Sequence, residues 1–375
     1  MGFQKDDFGE RFGAAAHPTR PLVAQLLAHA ATHTPERDAW RVELSGGVDV
    51  ERQLHWLLDG GLGPLLHGAL DAAACAGLSP AQRSALLSAD LTARVRHGSL
   101  VDTTLEIIDV CERLGVELVL LKGISVSEQW YPQEHLRPMA DIDVLIPAAG
   151  YATVEAALME RGHERLAFEP GKGQQHGVPL EHRSRGSVIE LHTELFGADS
   201  PLSAGTRFSA PMAMSWSVPS SYHDQPVRRL AAELQLAYIA ASWFNDLADR
   251  QIHPSFIASM FDAVYLLSAR GRQLDWVRLV ERLDNELAAA SLHAMLTYLP
   301  RFGVQQPDAA VMARLASRQK LIGGVQLALI HAALDRHLIA ARPWNHALPL
   351  PVPGRYSALH QIRKRLTRQR PRPQA

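Results

Sequence analysis

The sequence has little cysteine and no long apolar run. It contains two cysteines among 375 residues, Cys75 and Cys111, and both lie in helical patterns that cannot build a disulfide framework. A membrane helix needs about 20 consecutive apolar residues, and no stretch approaches that length. The first residues, MGFQKDDFGERFG, also lack the apolar core of a signal peptide. We therefore expect a protein without a membrane span in a reducing, cytoplasmic setting.

Several common catalytic signatures are missing as well. The sequence contains no phosphate-binding P-loop, no dinucleotide-binding Gly-x-Gly-x-x-Gly fingerprint and no Gly-x-Ser-x-Gly nucleophile elbow. His176, His182 and His192 do not have the spacing of a standard zinc site. The chemistry of this chain must therefore be sought in other residues.

The charge is nearly balanced, but it is unevenly distributed. The formal net charge is −1, whereas residues 355–375 carry seven basic and no acidic side chains, so the remaining body carries −8. A body of that sign is a poor general binder of nucleic acid, although binding stays possible. The basic segment follows a proline-rich linker and is interpreted as a solvated tail, a candidate contact for an anionic partner such as RNA or lipid.

The spacing of apolar residues predicts helices on both sides of a small α/β core. Between them we expect a short buried strand over 116–121, a helix opened by Gly123, a second strand over 141–146, an amphipathic helix and a two-stranded hairpin. Pro179, in the first hairpin strand, indicates a sheet edge or a bulge. After Phe196 the pattern turns helical again.

These patterns predict an α+β protein with a small mixed β-sheet and four regions. The regions are an N-terminal helical region (1–100), a core (101–200), a C-terminal helical domain (201–342) and a proline-rich linker with a basic tail (343–375).

Two aspartates stand in a strand that is otherwise apolar. Asp141 and Asp143 alternate with Ile142 and Val144, so both carboxylates leave the strand on the same face. Like charges so close repel each other, and burying them unpaired is costly. Divalent cations would remove the repulsion, and oxygen ligands of this kind suit Mg²⁺. Glu190, inside the strand VIELH, is the natural third acid of such a site.

Three segments in this order resemble a known family. LLKG, then LRPMADIDVLI, then VIELHTEL are similar to segments of uncharacterised bacterial nucleotidyltransferases of the DNA polymerase beta superfamily. The resemblance covers roughly residues 66–196 by motif and the helical remainder more loosely. It implies a polymerase beta-like core and a magnesium-dependent enzyme that binds ATP or another NTP.

The resemblance assigns roles to the acidic residues. Asp141 and Asp143 match the metal-binding pair, and Glu190 matches the third carboxylate, which ligates the metal that activates the acceptor hydroxyl. Two Mg²⁺ ions are implied, with Mn²⁺ as an alternative. Apart from the resemblance, His192 lies on the same face as Glu190 and is a candidate for orienting that carboxylate through a hydrogen bond.

The resemblance also assigns the nucleotide-binding residues. Gly123 matches the phosphate-binding turn, and free backbone N–H groups at the following helix N-terminus bind phosphate. Lys122 and Arg137 are expected to meet triphosphate oxygens. Ser125 is the expected hydroxyl ligand, but the usual order is Gly-Ser, whereas Ile124 intervenes here.

Each of these residues has a structural interpretation too. Asp141 and Asp143 could mark a solvated strand end, and Lys122 could extend from a strand terminus with its head in water. Arg137 could be a structural partner that offsets Asp141. His192 could be an ordinary core or surface histidine.

The favoured hypothesis is an enzyme that transfers a nucleoside monophosphate from an NTP to an unknown acceptor hydroxyl or phosphate by a two-metal mechanism. A toxin-like enzyme of this class would act on tRNA or on a protein. The alternatives are a non-catalytic module that binds nucleotides or scaffolds a partner, and a small-molecule phosphotransferase.

Overall fold

The computed structural model describes residues 22–32, 50–70, 72–167, 175–198, 200–203, 208–249 and 255–335. The expected linker and basic tail, 343–375, lie outside the described residues, as does the beginning of the chain, 1–21. Within the described ranges, no helix combines the length and the apolar character that crossing a membrane requires.

Among the described residues, five helices precede the first strand. They are α1 (Leu22–Ala31), α2 (Val50–Asp59), α3 (Gly63–Ala69), α4 (Ala72–Ala76) and α5 (Pro80–Leu114). The long helix α5 begins and ends where the sequence predicts. The Ser79 side chain accepts from the Gln82 amide while the Gln82 side chain accepts from the Ser79 amide, which is a capping box. Gly115, with φ of 63°, ends the helix in the left-handed conformation that favours glycine.

Seven strands form one mixed sheet. They are β1 (Val119–Leu120), β2 (Asp141–Leu145), β3 (His163–Arg165), β4 (Leu180–His182), β5 (Val188–His192), β6 (Ser217–Tyr222) and β7 (Gln225–Leu230). The order across the sheet is β3-β4-β5-β2-β1-β7-β6. Strands β2 and β5 are parallel, as are β1 and β7, and the other neighbours are antiparallel. The predicted α+β class with a mixed sheet is confirmed.

In the part of the chain that the structure describes, nine helices follow the first strand. They are α6 (Lys122–Trp130), α7 (Tyr151–Glu160), α8 (Ala210–Ser215), α9 (Ala232–Asp249), α10 (Ser255–Arg270), α11 (Trp276–Arg282), α12 (Glu286–Tyr298), α13 (Ala309–Arg318) and α14 (Gly324–Leu334). Helices α5 and α7 pack against one face of the sheet, where Ile142, Val144 and Ile189 are buried. The C-terminal helices and α1 share the apolar core on the other side, which includes Leu145 of β2.

The sheet is larger than the sequence predicts. The three-residue strand β3 and the β6–β7 hairpin were not predicted, and the expectation that the chain turns helical directly after Phe196 is wrong. Strand β6 reads SVPSSY, with too few apolar residues for a period-two pattern. Its Pro219 is tolerated because β6 is an edge strand. The sheet therefore continues past residue 200, where we expected the core to end.

The expectation for Pro179 is also wrong. Strand β4 begins at Leu180, one residue later, and lies between β3 and β5 rather than at an edge. Proline has no amide hydrogen to donate, and Pro179 joins the hydrogen bonding here through its carbonyl oxygen, which accepts from the Leu166 amide at 2.9 Å.

Candidate active site

Adjacent strands bring the predicted acids together. Strands β2 and β5 are parallel neighbours, and their register pairs Asp143 with Glu190 and Leu145 with His192. Side chains alternate along a strand, so Asp141, Asp143, Glu190 and His192 share one face of the sheet. Ligand atoms of Asp143, Glu190 and His192 all lie within 4.8 Å of one another. Asp141 lies outside that group, two residues before Asp143.

Asp143 is buried and is held by two cationic groups. Its side chain is 4% exposed. Lys122 Nζ donates to Asp143 Oδ1 at 2.6 Å, and His192 Nε2 donates to the same oxygen at 2.8 Å. Glu190 is contacted less closely: its Oε2 lies 3.4 Å from His192 Nε2 and 3.5 Å from His176 Nε2. The site therefore holds one carboxylate firmly and leaves the other freer to change partners.

The same contacts shift the pKa values of the three acids in different directions. Burial acts to raise the pKa of Asp143, but Lys122 and His192 outweigh it and hold that pKa below the usual range. Burial and the neighbouring Asp143 raise the pKa of Asp141 to about 6. Burial acts to raise the pKa of Glu190, but the hydrogen bond from His192 outweighs burial and lowers that pKa below its usual value. Carboxylates with divergent pKa values in one cavity are typical of functional sites.

Helix α6 positions Lys122 and packs closely on Arg137. Lys122 opens the helix with φ of 41°, a conformation that residues other than glycine rarely adopt and that occurs most often at functional sites. At Gly123, an added Cβ would lie 2.4 Å from Arg137 Nη1, so a side chain is excluded there by packing. The helix N-terminus and Arg137 are thus placed against each other.

Arg137 has a carboxylate partner that the sequence did not indicate. Its Nε and Nη2 donate to the two oxygens of Asp262, on α10, at 3.2 Å and 2.8 Å. Tyr131 also donates to Asp262, at 2.7 Å. The pairing with Asp262 ties the segment before β2 to the C-terminal helices.

A cavity of about 860 Å³ opens over these residues. Asp141, Asp143, Glu190, Lys122 and Arg137 line it. The facing wall comes from α9 and α10, which contribute Tyr238, Ser242, Asp246 and Ser259 among others. Gly123 and Ser125 do not line the cavity. Ser125 is completely buried, and its carbonyl accepts from Arg229 Nη1 at 2.5 Å.

Several cavity residues were not assigned a role from the sequence. His176 reaches the site because its residue pairs with His192 as an isolated bridge, and its Nδ1 donates to the Gly177 carbonyl at 2.8 Å. Tyr238, Ser242 and Asn245 follow one face of α9 at spacings of four and three. Those polar residues on an apolar helix are a periodicity signal that the sequence offered.

The donor set fits a hard divalent cation. Carboxylate oxygens are the ligands that Mg²⁺ prefers, and Asp141, Asp143 and Glu190 supply them on one face. Burial acts to lower the pKa of the His192 ring, but its hydrogen bonds to Asp143 and Glu190 outweigh burial and raise that pKa. Because its Nε2 already donates to Asp143, His192 suits the orienting role, one of the two alternatives drawn from the sequence.

The comparisons with known proteins identify the family of the chain. A family model described as an uncharacterised nucleotidyltransferase matches residues 46–303, more than half of the chain. No match was found among curated proteins.

Matches among solved structures cover most of the matched chains at low identity. An antigenic nucleotidyltransferase-like protein from Paracoccidioides brasiliensis has a TM-score of 0.39 and 14% identity, over 57% of this chain and 96% of that one. The antibiotic-resistance factor ANT(2″)-Ia in solution gives 0.32 and 13%, over 47% and 92%. Its complex with adenylyl-2″-tobramycin gives 0.30 and 15%, over 58% and 98%.

Proposed function

Since this chain belongs to a family of uncharacterised nucleotidyltransferases, we propose that it transfers a nucleoside monophosphate from an NTP to an acceptor hydroxyl or phosphate. The observation that carries the proposal is that Asp141, Asp143 and Glu190 line the cavity of about 860 Å³, with the buried His192 close behind Asp143 and Glu190. Carboxylates on adjacent strands at the base of a cavity are what metal-assisted phosphoryl chemistry requires.

Asp141, Asp143 and Glu190 are the residues that would hold two divalent ions, Mg²⁺ or alternatively Mn²⁺. Such ions lower the pKa of an attacking hydroxyl and offset the charge of a triphosphate. His192 is buried and donates to Asp143, so it keeps that carboxylate charged and oriented. Orientation of this kind typically changes metal affinity by roughly 10- to 100-fold.

Lys122 and Arg137 suit the triphosphate. Lys122 Nζ is 2.6 Å from Asp143, so its charge lies beside the carboxylates, where the phosphates must approach. Arg137 keeps donors that Asp262 does not occupy, because a guanidinium has five N–H groups. The cavity volume falls within the range of about 300–1,000 Å³ that is usual for small-molecule sites, which favours an NTP together with a small acceptor.

Loss of the two aspartates tests the proposal. Asp141→Asn with Asp143→Asn should lower metal-dependent turnover by more than about 100-fold, because direct ligands matter at least as much as the groups that orient them. The measurement is nucleotide transfer from each labelled NTP with Mg²⁺, alone and with cell extract. The wild-type chain should label an acceptor in the extract.

The matched control is Asp224→Asn, which removes an exposed carboxylate from the β6–β7 turn. It should leave transfer and nucleotide binding unchanged. A double variant that binds Mg-ATP as tightly as the wild type would show that the site is misassigned, and one that unfolds would make the aspartates structural. Nucleotide binding without transfer would identify a non-catalytic module instead.

A further inference from the structure

Among the described residues that line the cavity, three are lysine or arginine, and two of these already have acidic partners. Lys122 pairs with Asp143 at 2.6 Å, and Arg137 pairs with Asp262 at 2.8 Å. The third is Arg96 of α5, which lines the same cavity. Within the described part of the chain, no carboxylate oxygen lies within ion-pair distance of Arg96. Its charge is therefore available to a ligand.

Arg96 also lies next to the metal-binding strand. Its Nη2 is 3.5 Å from the carbonyl oxygen of Ala140, the residue directly before Asp141. That contact is at the limit of a hydrogen bond, so the guanidinium keeps nearly all its donors. The side chain is exposed, so its position can follow a ligand at little cost in packing.

We propose that Arg96 binds phosphate oxygens of the NTP, a role that rests on the proposed nucleotidyl transfer. A guanidinium offers paired donors that match phosphate oxygens, and such charge-assisted bonds are among the strongest in proteins. The triphosphate brings several negative charges into a cavity that already contains Asp141, Asp143 and Glu190. Lys122 and Arg137 are each balanced by an acid, so Arg96 supplies the additional positive charge.

Direct binding of inorganic tripolyphosphate tests Arg96 without any acceptor. In the full chain with Mg²⁺, calorimetry should show that Arg96→Ala weakens tripolyphosphate and NTP affinity by about 10- to 100-fold. The affinities of Arg96→Lys should fall between those of the wild type and of Arg96→Ala, because lysine keeps the positive charge but lacks the paired donors of a guanidinium. Salt should affect the affinity of Arg96→Ala less than that of the wild type, because one ionic contact is gone.

Arg318→Ala is the matched control, since it removes an exposed arginine at the end of α13, far along the chain. It should bind both ligands as the wild type does. Unchanged tripolyphosphate and NTP affinities in Arg96→Ala would overturn the assignment, and so would a loss of transfer with both affinities unchanged, which would place the anion on the acceptor. The proposed function is tested separately, by whether the wild type binds an NTP and transfers its nucleoside monophosphate.

Discussion

Glu190 and Asp143 lie side by side in the register of two strands, but their surroundings differ. Asp143 receives hydrogen bonds at 2.6 Å and 2.8 Å, whereas Glu190 is 20% exposed in its side chain and has contacts of 3.4 Å and 3.5 Å. The firmly held carboxylate suits a fixed metal ligand. The looser one suits a ligand whose contacts tighten only when the acceptor reacts.

We therefore expect Glu190→Gln to lower turnover far more than nucleotide affinity. An interaction made mainly in the transition state raises the rate without raising substrate binding. The steady-state kcat should fall by a factor at least about tenfold larger than the loss of NTP affinity, measured directly as a Kd. Effects of this size are typical of a group that acts on a metal.

The isosteric control is Glu194→Gln. The Oε2 of Glu194 accepts from the Ala210 amide at 2.8 Å, at the start of α8, and an amide oxygen can do the same. Equal losses of kcat and affinity in Glu190→Gln would reduce Glu190 to a binding residue. Full activity would mean that another acid activates the acceptor.

At the scale of single elements, the beginning of α6 requires glycine at position 123, because a side chain there would collide with its neighbours. Gly123→Ala would place a Cβ 2.4 Å from Arg137 Nη1 and 2.8 Å from Met139 Cγ. Arg137 is fixed by two hydrogen bonds to Asp262, so it cannot move away cheaply. We expect a loss of about 1–3 kcal/mol in the free energy of unfolding, the usual cost of overpacking, measured by urea denaturation.

Gly98→Ala provides the comparison within α5. Nothing lies within 4 Å of a Cβ added there, and alanine in a helix interior is favoured over glycine by roughly 0.5–1 kcal/mol. That variant should be more stable than the wild type. If Gly123→Ala were as stable as Gly98→Ala, Arg137 would have room to shift, and the tight packing of α6 would not constrain it.

The elements that the sequence predicts correctly have local signals. Helix α5 has Ser79 and Gly115 at its ends, and the strand that holds Asp141 and Asp143 alternates acids with buried apolar residues. Strand β3 reads HER and β6 reads SVPSSY, so neither carries a period-two apolar pattern. Strand β6 pairs with β7, the next strand in the chain, and β7 joins the sheet through β1, which is distant in sequence. No local apolar pattern reveals that long-range pairing.

Part of the site could be predicted from the sequence for a similar reason. The shared face of Asp141 and Asp143 follows from strand geometry, and Glu190 from its own strand. The pairing of Arg137 with Asp262 could not be predicted, because 125 residues separate them. The burial of Ser125 follows from its place inside α6, which starts at Lys122, directly before the Gly123 that was predicted to open the helix.

At the scale of the whole molecule, the two helical regions meet. Helix α1 packs against α10, and Ser268 donates to the carbonyls of Ala30 and Ala31 at 3.3 Å and 3.2 Å. Leu22, Leu26 and Leu27 belong to the same buried cluster as Phe261 of α10. The N-terminal helical region is therefore part of the core that supports the cavity wall formed by α9 and α10.

Because of this shared core, we expect a destabilising substitution in α1 to lower the stability of the whole folded chain. Leu27 is 0% exposed, so Leu27→Ala should cost about 2–5 kcal/mol, the usual cost of such a cavity. Because α1 and α10 share that core, thermal unfolding followed by circular dichroism should keep a single transition at a lower Tm, and NTP binding should be lost at the same temperature. Leu91→Ala, at a position 53% exposed on α5, should change stability by no more than about 0.5 kcal/mol. A separate early transition in Leu27→Ala, with NTP binding retained above it, would instead show that α1 unfolds independently of the helices over the cavity.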